Sequence, residues 1–164
     1  MFIEFKDLPE SARIWVYQVD RNLSETEEAR VLDFLKTAVD AWVTHGMPMR
    51  GSAKILFNRM IVLAADTAFQ APSGCSIDSS TGWLHELGRD MNINFFDRSI
   101  GYFEDEVLKF FSVFDAKKQV SAGVIQPDTR VINLQVNVKH ELDSSLVVPA
   151  SESFLSRYFS KVES

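Results

Sequence analysis

Two largely apolar runs, Ala53–Phe57 and Met60–Ala65, stand next to each other with only Asn58-Arg59 between them. They constrain the fold more than any other stretch, because β-branched and aliphatic side chains repeated in this way bury best on a pleated sheet. Asn tolerates positive φ, so a two-residue hairpin at Asn58-Arg59 is one reading. A single long strand is the other, since no glycine enforces the turn. Either way a sheet forms here, and its apolar faces require covering elements.

The chain around these runs supplies the covers. Met1–Pro9 reads as an edge segment or lead-in, and Arg13–Asp20 reads as a strand with apolar groups on both alternating faces, which predicts a central position. Ser24-Glu25-Thr26-Glu27 is a capping box. The helix it opens carries a stripe of Val31, Leu35, Ala38 and Trp42, with Leu32 and Val39 beside it. Gly46 and Pro48 are expected to end that helix, leaving His45 in its last turn, where a cation is favoured. A second helix is expected from about Ser76 to Met91, with Ile77, Trp83, Leu84 and Leu87 on its apolar face.

Beyond it, Ser99–Phe103 reads as a short strand. Glu104–Phe114 reads as a helix with Val107, Leu108, Phe110, Phe111 and Phe114 in the core. Asp115–Ala122, stopped by Gly123, is a further short helix. Ile132, Leu134, Val136 and Val138 alternate with polar residues as far as Lys139, the period of a half-exposed strand. A short helix is expected to run from Ser151 to near Phe159. The order of elements predicts an α+β fold, an antiparallel sheet with helices packed on one face, in a ferredoxin-like or split βαβ arrangement in its first part.

With 164 residues, a single domain spanning 1–164 is the expectation. The net charge of −6 and scattered basic residues argue against a nucleic-acid footprint. No apolar run reaches the roughly 18 residues that span a bilayer. A lone cysteine and the lack of a signal-peptide pattern point to the cytoplasm.

Chemistry concentrates in Gly74-Cys75-Ser76-Ile77-Asp78-Ser79-Ser80, at the start of the second helix. Ser76 or Asp78 is the expected cap. A thiol in a first helical turn has its pKa lowered, so Cys75 and Asp78 are candidate catalytic residues, with His45 the candidate base. His85 lies nearly three turns from Cys75, about 15 Å along the axis, too far to take its proton. Asp66, Asp78 and Asp97 each sit at an element end and form a candidate oxygen-ligand metal site. The phosphate loop, the dinucleotide fingerprint, the nucleophile elbow and the H-E-x-x-H motif are all absent from the sequence, and no cofactor is implied.

Three stretches carry a resemblance: Arg13–Gln18, Lys54–Arg59 with Ile61–Asp66, and Gly74–Ser80. Together they resemble a small family of Bacteroidetes-type bacterial proteins, often labelled "ABC transporter ATPase", with no assigned activity. The resemblance covers most of the chain and implies no catalytic residue. The ATPase label does not suit these residues, because Ile61–Asp66 mimics only the strand and acid of a nucleotide site and the phosphate cradle is missing.

The leading expectation is a ligand-binding or protein-interaction module whose partner is a small molecule or a protein, able to dimerise through a sheet edge or an aromatic surface. The alternative is a thiol- or acid-dependent enzyme at Gly74–Ser80.

Overall fold

The computed structural model describes residues 1–68 and 71–159, the Cys75 side chain excepted. Two compact units make up the chain: Met1–Asp97 with Gln135–Glu141, and Arg98–Leu134 with Leu142–Ser164.

The first unit contains β1 (Arg13–Gln18), α1 (Glu25–Asp40), β2 (Val43–Thr44), β3 (Met47–Pro48), β4 (Gly51–Leu56), β5 (Met60–Ala65) and α2 (Gly74–Met91). Its main sheet has the order β1-β5-β4 with both pairings antiparallel. β1 and β4 therefore run parallel with β5 inserted between them, the split βαβ arrangement, and the fold is α+β. The centre is β5, every residue of which is buried. β1 borders the sheet instead of occupying its middle; on its outer side it makes a bridge from Arg13 to Val138 and a bond from Ile14 N–H to the Asn137 carbonyl at 3.0 Å. β5 is apolar at all six positions, whereas β1 carries an exposed arginine, so burial on both faces favours β5.

Strand register explains where the helices sit. Trp15, Leu63 and Ala53 are cross-strand partners, as are Tyr17, Ile61 and Ile55, so all six side chains share one face. Val31 and Leu35 of α1, Leu84 and Leu87 of α2, and Phe95 pack on that face. Burying each such aliphatic side chain contributes roughly 1.5–3 kcal/mol.

α1 begins as its sequence predicts. The Glu27 N–H donates to Ser24 Oγ at 3.2 Å, and the Ser24 N–H donates to Glu27 Oε1 at 3.0 Å. Arg21 forks onto both Glu27 oxygens at 2.7 and 2.6 Å. That pairing, with the Ser24 N–H second, holds the Glu27 carboxyl down to about 2.

The end of α1 differs from expectation. The helix stops at Asp40, and Trp42 turns inward, 2% exposed. His45 lies in no helical turn. With Gly46 it forms the two-residue turn between β2 and β3, at φ 50° and 77°. The β4–β5 hairpin does form, yet its left-handed residues are Phe57 and Asn58, at φ 54° and 59°, one position earlier than Asn58-Arg59. The Arg59 N–H closes that turn on the Leu56 carbonyl at 3.0 Å.

The second unit holds β6 (Ile100–Glu104), β7 (Val107–Phe111), α3 (Ala116–Ser121), β8 (Arg130–Ile132), α4 (Glu141–Ser144), which opens on the last residue of the first unit, and β9 (Val147–Pro149). Its sheet runs β7-β6-β8-β9, antiparallel throughout. Ile100, Tyr102, Ile125, Val131 and Leu155 are buried together at its core.

Here three expectations are corrected. Glu104–Phe114 is no helix; β6 turns at Asp105-Glu106, both at positive φ (50° and 67°), into β7. Val107 is 56% exposed and Phe114 94% exposed, so neither belongs to the core. The alternating strand stops at Ile132, because the alternation serves two units: Ile132 belongs to the second, Val136 and Val138 to the first. Ser151–Phe159 forms two short 3-10 pieces, Ala150–Glu152 and Phe154–Tyr158, with the Ser153 hydroxyl capping the latter. Among the described residues, no helix is long and apolar enough to cross a membrane.

Candidate functional site

α2 starts earlier than its hydroxyl-rich stretch suggests. Ser73 is the cap, accepting from the Ser76 N–H at 3.2 Å, while the Ser73 N–H donates to Ser76 Oγ at 2.8 Å. Cys75 thus lies in the first helical turn by its backbone, and its side chain lies outside the described residues. The neighbouring hydroxyls serve the backbone: Ser76 Oγ donates to the Ser73 carbonyl at 2.8 Å, and Ser80 Oγ to the Ile77 carbonyl at 2.6 Å. Asp78 is exposed, and so is His45 in its hairpin turn. His85, also exposed, stacks on Phe96 with ring centroids 4.4 Å apart.

The three aspartates proposed for a metal are not gathered. Among the described residues, no group of three or more His, Cys, Asp or Glu is placed to hold an ion. Each has a local task or none. Asp66 Oδ1 accepts from the Ala68 N–H at 3.1 Å. Asp97 accepts from Gln18 Nε2 at 3.1 Å and lies 3.7 Å from Arg59. Burial pulls the Arg59 guanidinium below its ordinary value, opposed by the charges of Asp97 and Asp20. Gln18, Arg59 and Asp97 thereby tie the β4–β5 turn to the segment after α2, which is a structural role.

A concavity of the first unit lies elsewhere, a groove of about 590 Å³ lined by α1 and α2. Phe34 and Ala38 of α1 with Trp83 and Leu87 of α2 form its apolar floor, and Arg30, Asp33, Glu86 and Asp90 line it with charge. Helical spacing explains both sets: Arg30, Phe34 and Ala38 recur every fourth residue, as do Trp83 and Leu87, and Glu86 and Asp90. The four charged side chains make no ion pair and no side-chain hydrogen bond with any described residue.

Trp83 is held in place from behind. It packs edge-on against Trp42 at 5.2 Å, which in turn packs on Trp15 at 6.0 Å. The Trp42 Nε1–H donates to the Ser76 carbonyl at 2.9 Å, anchoring this row to the first turn of α2. The groove's aromatic floor is thereby preorganised, so a ligand does not have to order it on binding.

Sequence reasoning missed the groove although its periodicities are present in the chain. The buried stripe of Val31, Leu35 and Val39 dominates the helical pattern, and the groove residues lie one position to its side. No match to the chain was found among protein-family models, curated proteins or solved structures.

Proposed function

We propose that this protein is a cytoplasmic ligand-binding module whose site is the groove between α1 and α2. The observation that carries this reading is the lining of the groove: an apolar, aromatic floor bordered by charged side chains unengaged with any described residue. Its volume of about 590 Å³ is of the size that small-molecule sites occupy. Polar groups at the margin of such a floor orient a ligand, and the floor supplies the burial.

A fragment screen by amide chemical shift tests it. Binding fragments are expected to move the resonances of Phe34, Ala38, Trp83 and Leu87 together. Ala38→Phe, which fills the floor, is expected to abolish those shifts while leaving the melting temperature within a few degrees. Fragments that cluster at Gly74–Ser80 instead, or none that reach the groove, would overturn the assignment.

A further inference from the structure

We infer that the α1–α2 groove takes a small aliphatic diamine, its stem on the Trp83 and Leu87 floor and its ammonium groups among Asp33, Glu86 and Asp90. The inference rests on the groove being the binding site and adds the chemistry of its occupant. Three carboxylates and one guanidinium line the groove, a net of two negative charges, so a dication neutralises it and an anion is repelled. None of those carboxylates pairs with a described residue, so an incoming ammonium breaks no ion pair among the described residues.

The floor favours the same ligand. Phe34 and Trp83 place two aromatic rings in the groove, and an ammonium is attracted to the electron-rich face of such rings when water is displaced. Glu86 and Asp90 are four residues apart on α2, about 6 Å along its axis. Two ammonium groups separated by a short methylene chain can reach both while the methylenes cover Leu87 and Trp83. Against the net of two negative charges, a single compact cation would leave one unmatched, and a longer neutral ligand would leave both.

The probe is butane-1,4-diamine, titrated into the full chain at constant ionic strength. The three tryptophans form one row ending at the groove, so intrinsic fluorescence reports occupancy, and amide shifts of α1 and α2 locate it. Saturable binding at least about tenfold tighter than that of butan-1-ol or butanedioate is expected. Glu86→Gln with Asp90→Asn is expected to weaken it about tenfold or more without lowering the melting temperature, since both side chains are exposed. Glu152→Gln, in the second unit, is expected to change nothing. A diamine response that does not saturate, or that potassium ions reproduce, overturns the inference. If the neutral or anionic probes occupy the groove and the diamine does not, the diamine assignment fails and the groove stands. If no probe reaches the groove, both fail.

Discussion

Left-handed backbone at non-glycine residues is the recurring local feature of this chain. His45, Phe57, Asn58, Asp105 and Glu106 all take positive φ in the tight turns of hairpins. Gly46 adopts that conformation without strain and Asn58 and Asp105 tolerate it, whereas His45, Phe57 and Glu106 each lose roughly 1–2 kcal/mol there. The Asp105-Glu106 turn makes this measurable, since Asp-Gly is the favoured pair at such positions. Glu106→Gly forfeits an ion pair to Arg130 at 2.8 Å, but Glu106 is 86% exposed and such pairs contribute little. Glu106→Gly is therefore expected to raise stability by about 1 kcal/mol in urea unfolding, and a loss of stability would refute the strain assignment.

Glu27 carries a residue-scale pH dependence. Its carboxyl is held at about 2 in the folded chain, below the roughly 4.3 of an unfolded glutamate. A depressed carboxyl stabilises above the unfolded value and loses that contribution as pH falls through the folded one. Stability is therefore expected to drop between about pH 4.3 and about 2, and Glu27→Gln should flatten that part of the curve. The comparison needs only urea midpoints of both proteins across the window. An unchanged slope would mean that the Arg21 fork is not maintained in solution.

Close approach governs the elements. A Cβ on Gly51 would lie 2.8 Å from the Ala64 carbonyl oxygen and 3.1 Å from side-chain atoms of both Val39 and Trp42. β4 thus comes near enough to β5 and the end of α1 that only glycine fits. Gly51→Ala is expected to lose at least about 2 kcal/mol. Gly82, exposed in the middle of α2 with nothing within 4 Å, provides the contrast. Gly82→Ala is expected to gain about 1 kcal/mol from helix propensity. Thermal melts of the two variants should move in opposite directions, and two shifts of the same sign would contradict the packing of β4.

The same scale shows why some elements were legible and others were not. The Ser24–Glu27 box announced α1 because its hydrogen bonds are local and its spacing is fixed. The β6–β7 hairpin was hidden because Asp105-Glu106 lacks the glycine or asparagine that signals a tight turn. Its strand, Val107–Phe111, also carries apolar residues at spacings that a helix would share.

For the whole molecule, the exposed apolar groups matter most. Phe114 is 94% exposed beyond the end of β7, a border strand of its sheet, and Val113 beside it is 39% exposed. Phe114→Ser is expected to leave stability within about 0.5 kcal/mol, as for other surface sites. It is also expected to reduce self-association of the concentrated protein, because border strands and exposed aromatic groups are where chains adhere. Urea unfolding checks the first part and sedimentation velocity the second; a stability loss well beyond that range would place Phe114 in a core.

The sequence by itself determined what depends on neighbours along the chain: the α1 cap, the apolar strands β4 and β5, the α+β class and the absence of a phosphate loop. Tertiary structure alone decided that β5 is central, that Ile132 and Val138 belong to different units, and that Asp66, Asp78 and Asp97 do not meet. It also decided the groove, whose residues come from two helices separated in sequence by the β2–β3 hairpin and two strands of the main sheet. Periodicity states which residues share a face. Only packing states which faces meet, because burial is non-directional and depends on the total apolar area that adjoining elements remove from water.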